Sequence, residues 1–224
     1  MRGRALVLVL VLVLATALAS GCGEAPRPDA GQEADPTLRA LPEGGAEIAA
    51  SRVDPLFAEA AEEITDGRFD FEVRCWTTGD WNDILAFWGP ELAGTEDAVV
   101  AAFVAGMSDV QLSPEVCGAL TRFAYGPPAL RRARPSSETA LAVVVFAHEI
   151  GHTVIGSNEA ATECWAVQRA KTVAQVLGAT EATAAAVGRV YLREHYPKLP
   201  PGYQSDECRD DGALDLDPES SVWP

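Results

Sequence analysis

Histidine is scarce in this chain, with only three among 224 residues. Its five cysteines include no Cys-x-x-Cys pair, which argues against a zinc site built from cysteine thiolates. No segment repeats, so solenoids and propellers are set aside. Positive charge is also in the minority, with 17 Lys and Arg against 33 Asp and Glu and a formal net charge of −16. So acidic a body is repelled by nucleic acid and by anionic lipid alike. No nucleic-acid partner is expected, and any membrane contact has to come from an anchor rather than from the surface of a domain.

An anchor is what the N-terminus offers. Arg2 and Arg4 precede an apolar block from Ala5 to Ala19, and the small residues Ala19-Ser20-Gly21 lead to Cys22. Residues 1–21 read as a secretory signal, excluded from the fold. The residues before Cys22 resemble a bacterial lipobox, which implies that Cys22 becomes the lipidated first residue of an exported protein on the periplasmic or cell-surface side of a bacterial membrane. Residues 22–50 are rich in Pro, Gly, Ala, Asp and Glu, and they bury too little to offset the entropy of ordering. They are expected to form a flexible tether. Residues 51–224 then make one domain with room for a sizeable core. Setting Cys22 aside leaves Cys75, Cys117, Cys164 and Cys208, an even set in a chain bound for an oxidising compartment. Two disulfides are expected, and three pairings are open.

Within the domain, Asp54-Pro55 can start a helix ending at Asp66-Gly67, with Phe57, Ala60, Ala61 and Ile64 as its apolar stripe. Arg68–Cys75 alternates strictly and reads as a half-buried strand. The aromatic cluster Trp76, Trp81, Phe87 and Trp88 is expected in the core around a short helix. Ala98–Ala105 and Asp109–Leu112 read as strands joined by a turn at Gly106–Ser108. Ser113-Pro114-Glu115 opens a helix that Gly126-Pro127-Pro128 breaks. The basic run Arg131-Arg132-Ala133-Arg134 is most simply a solvated loop. Two further helices are expected from Glu159 to about Leu177 and from Glu181 to Tyr196, and the tail beyond Pro197 is expected to be irregular.

The chemistry concentrates in Phe146-Ala147-His148-Glu149-Ile150-Gly151-His152 and in Glu159-Ala160-Ala161-Thr162-Glu163-Cys164-Trp165-Ala166. The apolar run from Glu138 to Ile155, capped by Ser136 or Ser137, is long enough to favour a buried helix over a strand. On a helix, His148 and His152 stand one turn apart on one face, so two imidazole nitrogens can meet one ion. This is the zinc arrangement His-Glu-x-x-His, in which Glu149 is the candidate general base. A third ligand is needed, because a catalytic zinc takes three protein ligands and keeps one position open. Gly156 can end the helix and Asn158 can cap the next. Glu159 is then placed to point back as the third ligand, and Glu163 to accept the free N–H of a ligating imidazole.

These two motifs resemble the gluzincin branch of the zincin metallopeptidases. The second is similar to the Glu-x-x-Ala-Asp-Cys-x-Ala run of bacterial neutral zinc metallopeptidases, with Glu163 where Asp is usual. Glu159 follows His152 more closely than in the best-known gluzincins, so a tight turn must join the helices. The resemblance covers roughly 30 residues. It implies an α+β, zincin-like fold, with a small, mostly antiparallel sheet packed on the buried His-Glu-x-x-His helix and a mostly helical second half. It also implies Zn²⁺ held by His148, His152 and Glu159, and a peptide or protein substrate hydrolysed by a water that Glu149 activates. Tyr191, His195, Tyr196 and Tyr203 are the available candidates for stabilising an oxyanion. The opposing expectation is a non-catalytic lipoprotein that uses the same scaffold as a binding module.

Overall fold

The computed structural model describes residues 52–81, 101–103, 109–219 and 223–224. The signal, Cys22, the tether, Phe87, Trp88 and the turn at Gly106–Ser108 lie outside the described residues.

Each helix begins where its capping residue dictates. Helix α1 (Pro55–Ile64) starts at Asp54, whose carboxylate accepts the Leu56 and Phe57 amides, and Pro55 sits where its missing N–H costs nothing. Phe57, Ala60, Ala61 and Ile64 are completely buried, as the spacing predicts. Helix α2 (Pro114–Tyr125) is capped by Ser113 and stops at Gly126. Arg131 lies beyond that stop and donates from Nη1 to the carbonyls of Phe123 (3.1 Å), Ala124 (2.7 Å) and Gly126 (2.9 Å). A cation at a helix C-terminus satisfies orphan carbonyls and the helix dipole together. The expectation of a merely solvated basic loop is therefore corrected for Arg131.

Four short strands, β1 (Arg52–Val53), β2 (Glu72–Cys75), β3 (Ala101–Phe103) and β4 (Asp109–Leu112), form one sheet in the order β1-β2-β4-β3. The outer pairings are antiparallel and the central β2–β4 pairing is parallel, so the sheet is mixed. Strand β2 begins at Glu72 rather than Arg68, and its pairing with β4 runs from Glu72 opposite Asp109 to Cys75 opposite Leu112. Phe71, Val73 and Cys75 nevertheless share the buried face. Of the aromatic cluster, Trp81 is buried and Trp76 donates its indole N–H to Gln111 Oε1 at 2.7 Å.

The second half of the chain is helical: α3 (Ser137–Ile155), α4 (Glu159–Val176) and α5 (Glu181–Glu194). Ser136 is the cap of α3, its Oγ accepting the Thr139 amide at 3.1 Å. By length and apolarity α3 could cross a membrane. Here it is the core helix of an α+β domain, packed by α1, α2, α4, α5, β3 and β4. The disulfides are Cys75–Cys117, tying β2 to α2, and Cys164–Cys208, tying α4 to the C-terminal tail. That tail contains two 3-10 turns, Tyr196–Lys198 and Pro201–Tyr203.

Candidate metal centre

The α3–α4 corner is tight, and two glycines allow it. Gly156 turns the chain at φ 84°, a conformation that side chains disfavour, and its amide donates to the His152 carbonyl at 3.1 Å. Asn158 then caps α4, its Oδ1 accepting the Ala161 amide at 3.1 Å. Within α3, a Cβ added at Gly151 would stand 2.9 Å from both Thr162 Cγ2 and Trp165 Cε3. Only glycine lets α4 approach this closely. That approach brings Glu159 and Glu163, in the first turns of α4, over the histidines of α3.

The ligand atoms converge. Glu159 Oε2 lies 3.1 Å from His148 Nε2 and 3.7 Å from His152 Nε2. The imidazole rings stand edge to face with centroids 4.8 Å apart. His148, His152 and Glu159 each offer one atom, all within 4.8 Å of one another, and together could hold a metal ion. The opposite nitrogens are already engaged. His148 Nδ1 meets Glu163 Oε2 at 2.7 Å, and His152 Nδ1 meets the Gly156 carbonyl at 2.8 Å. A carbonyl can only accept, so the His152 proton sits on Nδ1 and the Nε2 lone pair faces inward. Glu163 favours the same tautomer at His148. Two inward lone pairs and a carboxylate suit a cation.

Without an ion, a proton on His148 Nε2 takes the place of that cation. Burial disfavours a charge on His148, but hydrogen bonds to Glu159 and Glu163 and the charges of Glu163 and Glu149 outweigh it, pushing its pKa up to about 10. At Glu159 burial works upward. The His148 hydrogen bond and the two histidine charges overcome it and hold the carboxyl below its ordinary value. A proton and a metal ion thus compete for the same pocket. Glu163 is buried, and no strictly aligned hydrogen bond reaches its Oε1. The Tyr191 hydroxyl acts on the same carboxylate, which together with burial raises the Tyr191 pKa well above its ordinary value.

Each sequence-derived candidate can now be placed. His148, His152, Glu159 and Glu163 come together in one cluster. Glu149 is on the same helix, partly exposed, with its charge acting on His148 and Tyr203. Of the four candidates for an oxyanion partner, Tyr203 reaches the ligands, its ring stacked on His148 at 5.7 Å and 28°. His195 instead bonds Ser137 Oγ at 2.8 Å, at the far end of α3. Tyr196 is taken up by Ser205, accepting its amide at 2.9 Å and donating to its carbonyl at 3.2 Å. Sequence reasoning missed the roles of Tyr191 and Gly151. A helical-wheel reading of α5 against Glu163 could have suggested the first, but the second has no sequence signal.

No family model matches the chain, and no curated protein or solved structure matches it.

Proposed function

We propose that the chain is a zinc-dependent hydrolase of zincin type, most simply a peptidase, exported and held at a bacterial membrane through Cys22. The observation that carries this reading is the convergence of His148 Nε2, His152 Nε2 and Glu159 Oε2, with both Nδ1 atoms bonded to acceptors. Two nitrogens and one carboxylate oxygen are one of the donor sets of catalytic zinc sites, which keep a further position open. When bound, zinc supplies Lewis acidity toward a carbonyl and lowers the pKa of water.

The remaining work falls to the chain. Glu163 accepts the His148 Nδ1 proton and so keeps Nε2 a donor of electrons. The Gly156 carbonyl does the same for His152. Glu149, adjacent to the first ligand, takes the proton from the attacking water. Among the described residues, strand β3 is an edge of the sheet beside α3, where an extended peptide could add as a further strand. The two disulfides support export.

A second reading, a metal-stabilised binding module without turnover, is favoured by one observation: the tail packs Tyr203 against the cluster. Glu149→Gln separates the two. The variant is expected to retain metal and lose hydrolysis of a mixed peptide library. Full hydrolysis would remove Glu149 from the mechanism, and no hydrolysis by the wild type would favour the module.

A further inference from the structure

The C-terminal tail has no apolar periodicity of its own, yet it is fixed on both sides of Tyr203. On the near side, the Tyr196 hydroxyl grips the Ser205 backbone twice, at 2.9 and 3.2 Å. On the far side, Cys208 is bonded to Cys164, the residue after Glu163. Gln168, one turn further along α4, donates to the Leu214 carbonyl at 2.9 Å and accepts the Leu216 amide at 2.7 Å. Between these staples the 3-10 turn Pro201–Tyr203 delivers one aromatic side chain to the cluster. The ring stacks on His148, which brings the hydroxyl up to the Glu159 carboxylate, close enough for each to act on the other's proton affinity.

We propose that Tyr203 is a positioning residue of the metal centre: its hydroxyl holds Glu159 so that one carboxylate oxygen stays aimed between the two histidines, and the Cys164–Cys208 disulfide is the clamp that puts it there. The inference rests on the metal-centre reading above. A carboxylate ligand has two oxygens and free rotation about its terminal bond, so a donor on one oxygen fixes which oxygen faces the ion. Glu163 and the Gly156 carbonyl orient the two imidazoles in the same way, and Tyr203 completes the set for the third ligand. Hydrogen-bonding partners of metal ligands commonly change affinity by about 10- to 100-fold. The tail is therefore part of the site rather than a surface wrapping.

The test is zinc affinity by chelator competition, with the visible spectrum of the Co²⁺-loaded protein, on the mature chain purified under oxidising conditions. The variants are Tyr203→Phe, Cys208→Ser, their combination, and His152→Ala as reference. Tyr203→Phe keeps the ring stacked and removes only the hydroxyl. It is expected to weaken zinc binding by about 10-fold or more, to shift the Co²⁺ bands, and to leave the melting temperature of the metal-free protein unchanged. Cys208→Ser is expected to weaken zinc by a similar factor, and the combination to add little. Wild-type affinity and spectrum in Tyr203→Phe, with binding lost in His152→Ala, would overturn the role of Tyr203 and leave the ligand set standing. Weaker binding matched by a lower metal-free melting temperature, without a spectral change, would also overturn it. A wild type that binds neither metal would overturn both the ligand set and the role.

Discussion

Among the described residues, the buried polar clusters around α1 and between α3 and α4 differ in how their charge is closed. Around α1, Arg52 pairs with Asp54 at 2.6 Å and donates to Thr121 at 2.8 Å. Asp54 also accepts the Tyr125 hydroxyl at 2.8 Å and caps the helix. One cation meets one anion, and of its fully buried side-chain nitrogens and oxygens only Arg52 Nε lacks a hydrogen-bond partner. Around α3 and α4, Glu159 and Glu163 meet histidines, and among the described residues neither forms an ion pair with Lys or Arg. Imidazole is neutral at ordinary pH unless something raises its pKa. The first cluster closes its charge as a structural joint, whereas the second sets two carboxyl groups against the one proton that His148 holds below about pH 10, and stays short of positive charge until a metal joins it. Buried polarity alone therefore does not mark a functional site. On the metal-centre reading proposed above, what sets the α3–α4 cluster apart is an imbalance of charge among convergent ligand atoms.

Substitutions can be ranked by how sharply they separate the two clusters. The largest effect should come from His148→Ala, which removes a ligand and the anchor of Glu163: stoichiometric zinc and any hydrolysis should vanish, checked by elemental analysis and a peptide-library assay. Asp54→Ala should do the opposite. It strands Arg52 and uncaps α1, at a cost of about 3–5 kcal/mol in urea unfolding, with zinc affinity unchanged. Gly151→Ala should blur the distinction, since the new Cβ presses on Thr162 and Trp165. It should cost about 1–3 kcal/mol and also weaken zinc by pushing Glu159 away.

A further way to separate the clusters is pH. Because the folded-state pKa of His148 is raised to about 10, its proton stabilises the metal-free fold fully below the ordinary value near 6.5, and that contribution is lost as pH rises through about 10. Zinc affinity should climb over the same window, because the ion must displace that proton. Melting curves of metal-free and zinc-loaded protein across this range should therefore diverge. Parallel curves would mean that His148 is not where proton and metal compete.

The helices were legible because each carries its own start and stop. Asp54-Pro55, Ser113-Pro114, Asn158 and Gly156 are local instructions, and the apolar stripe of α1 is buried as its spacing predicts. His148 and His152 were legible for the same reason, since helical spacing alone puts them on one face. The parallel β2–β4 pairing was not, because it joins segments whose registry is set by the core and not by any turn between them. Tyr203 was visible only as one of four candidates. Its position depends on a disulfide that was one of three possible pairings, in a tail without periodicity. Arg131 was misread because its role comes from three carbonyls that only the folded α2 presents together.

The most direct test is the zinc content of the mature chain, purified with both disulfides intact, beside Glu159→Ala and Asp54→Asn. If the α3–α4 cluster is a metal centre and the α1 cluster a structural joint, wild type and Asp54→Asn will each hold about one zinc per chain and Glu159→Ala will hold little. A wild type without zinc, or a Glu159→Ala variant that keeps it, would contradict that assignment.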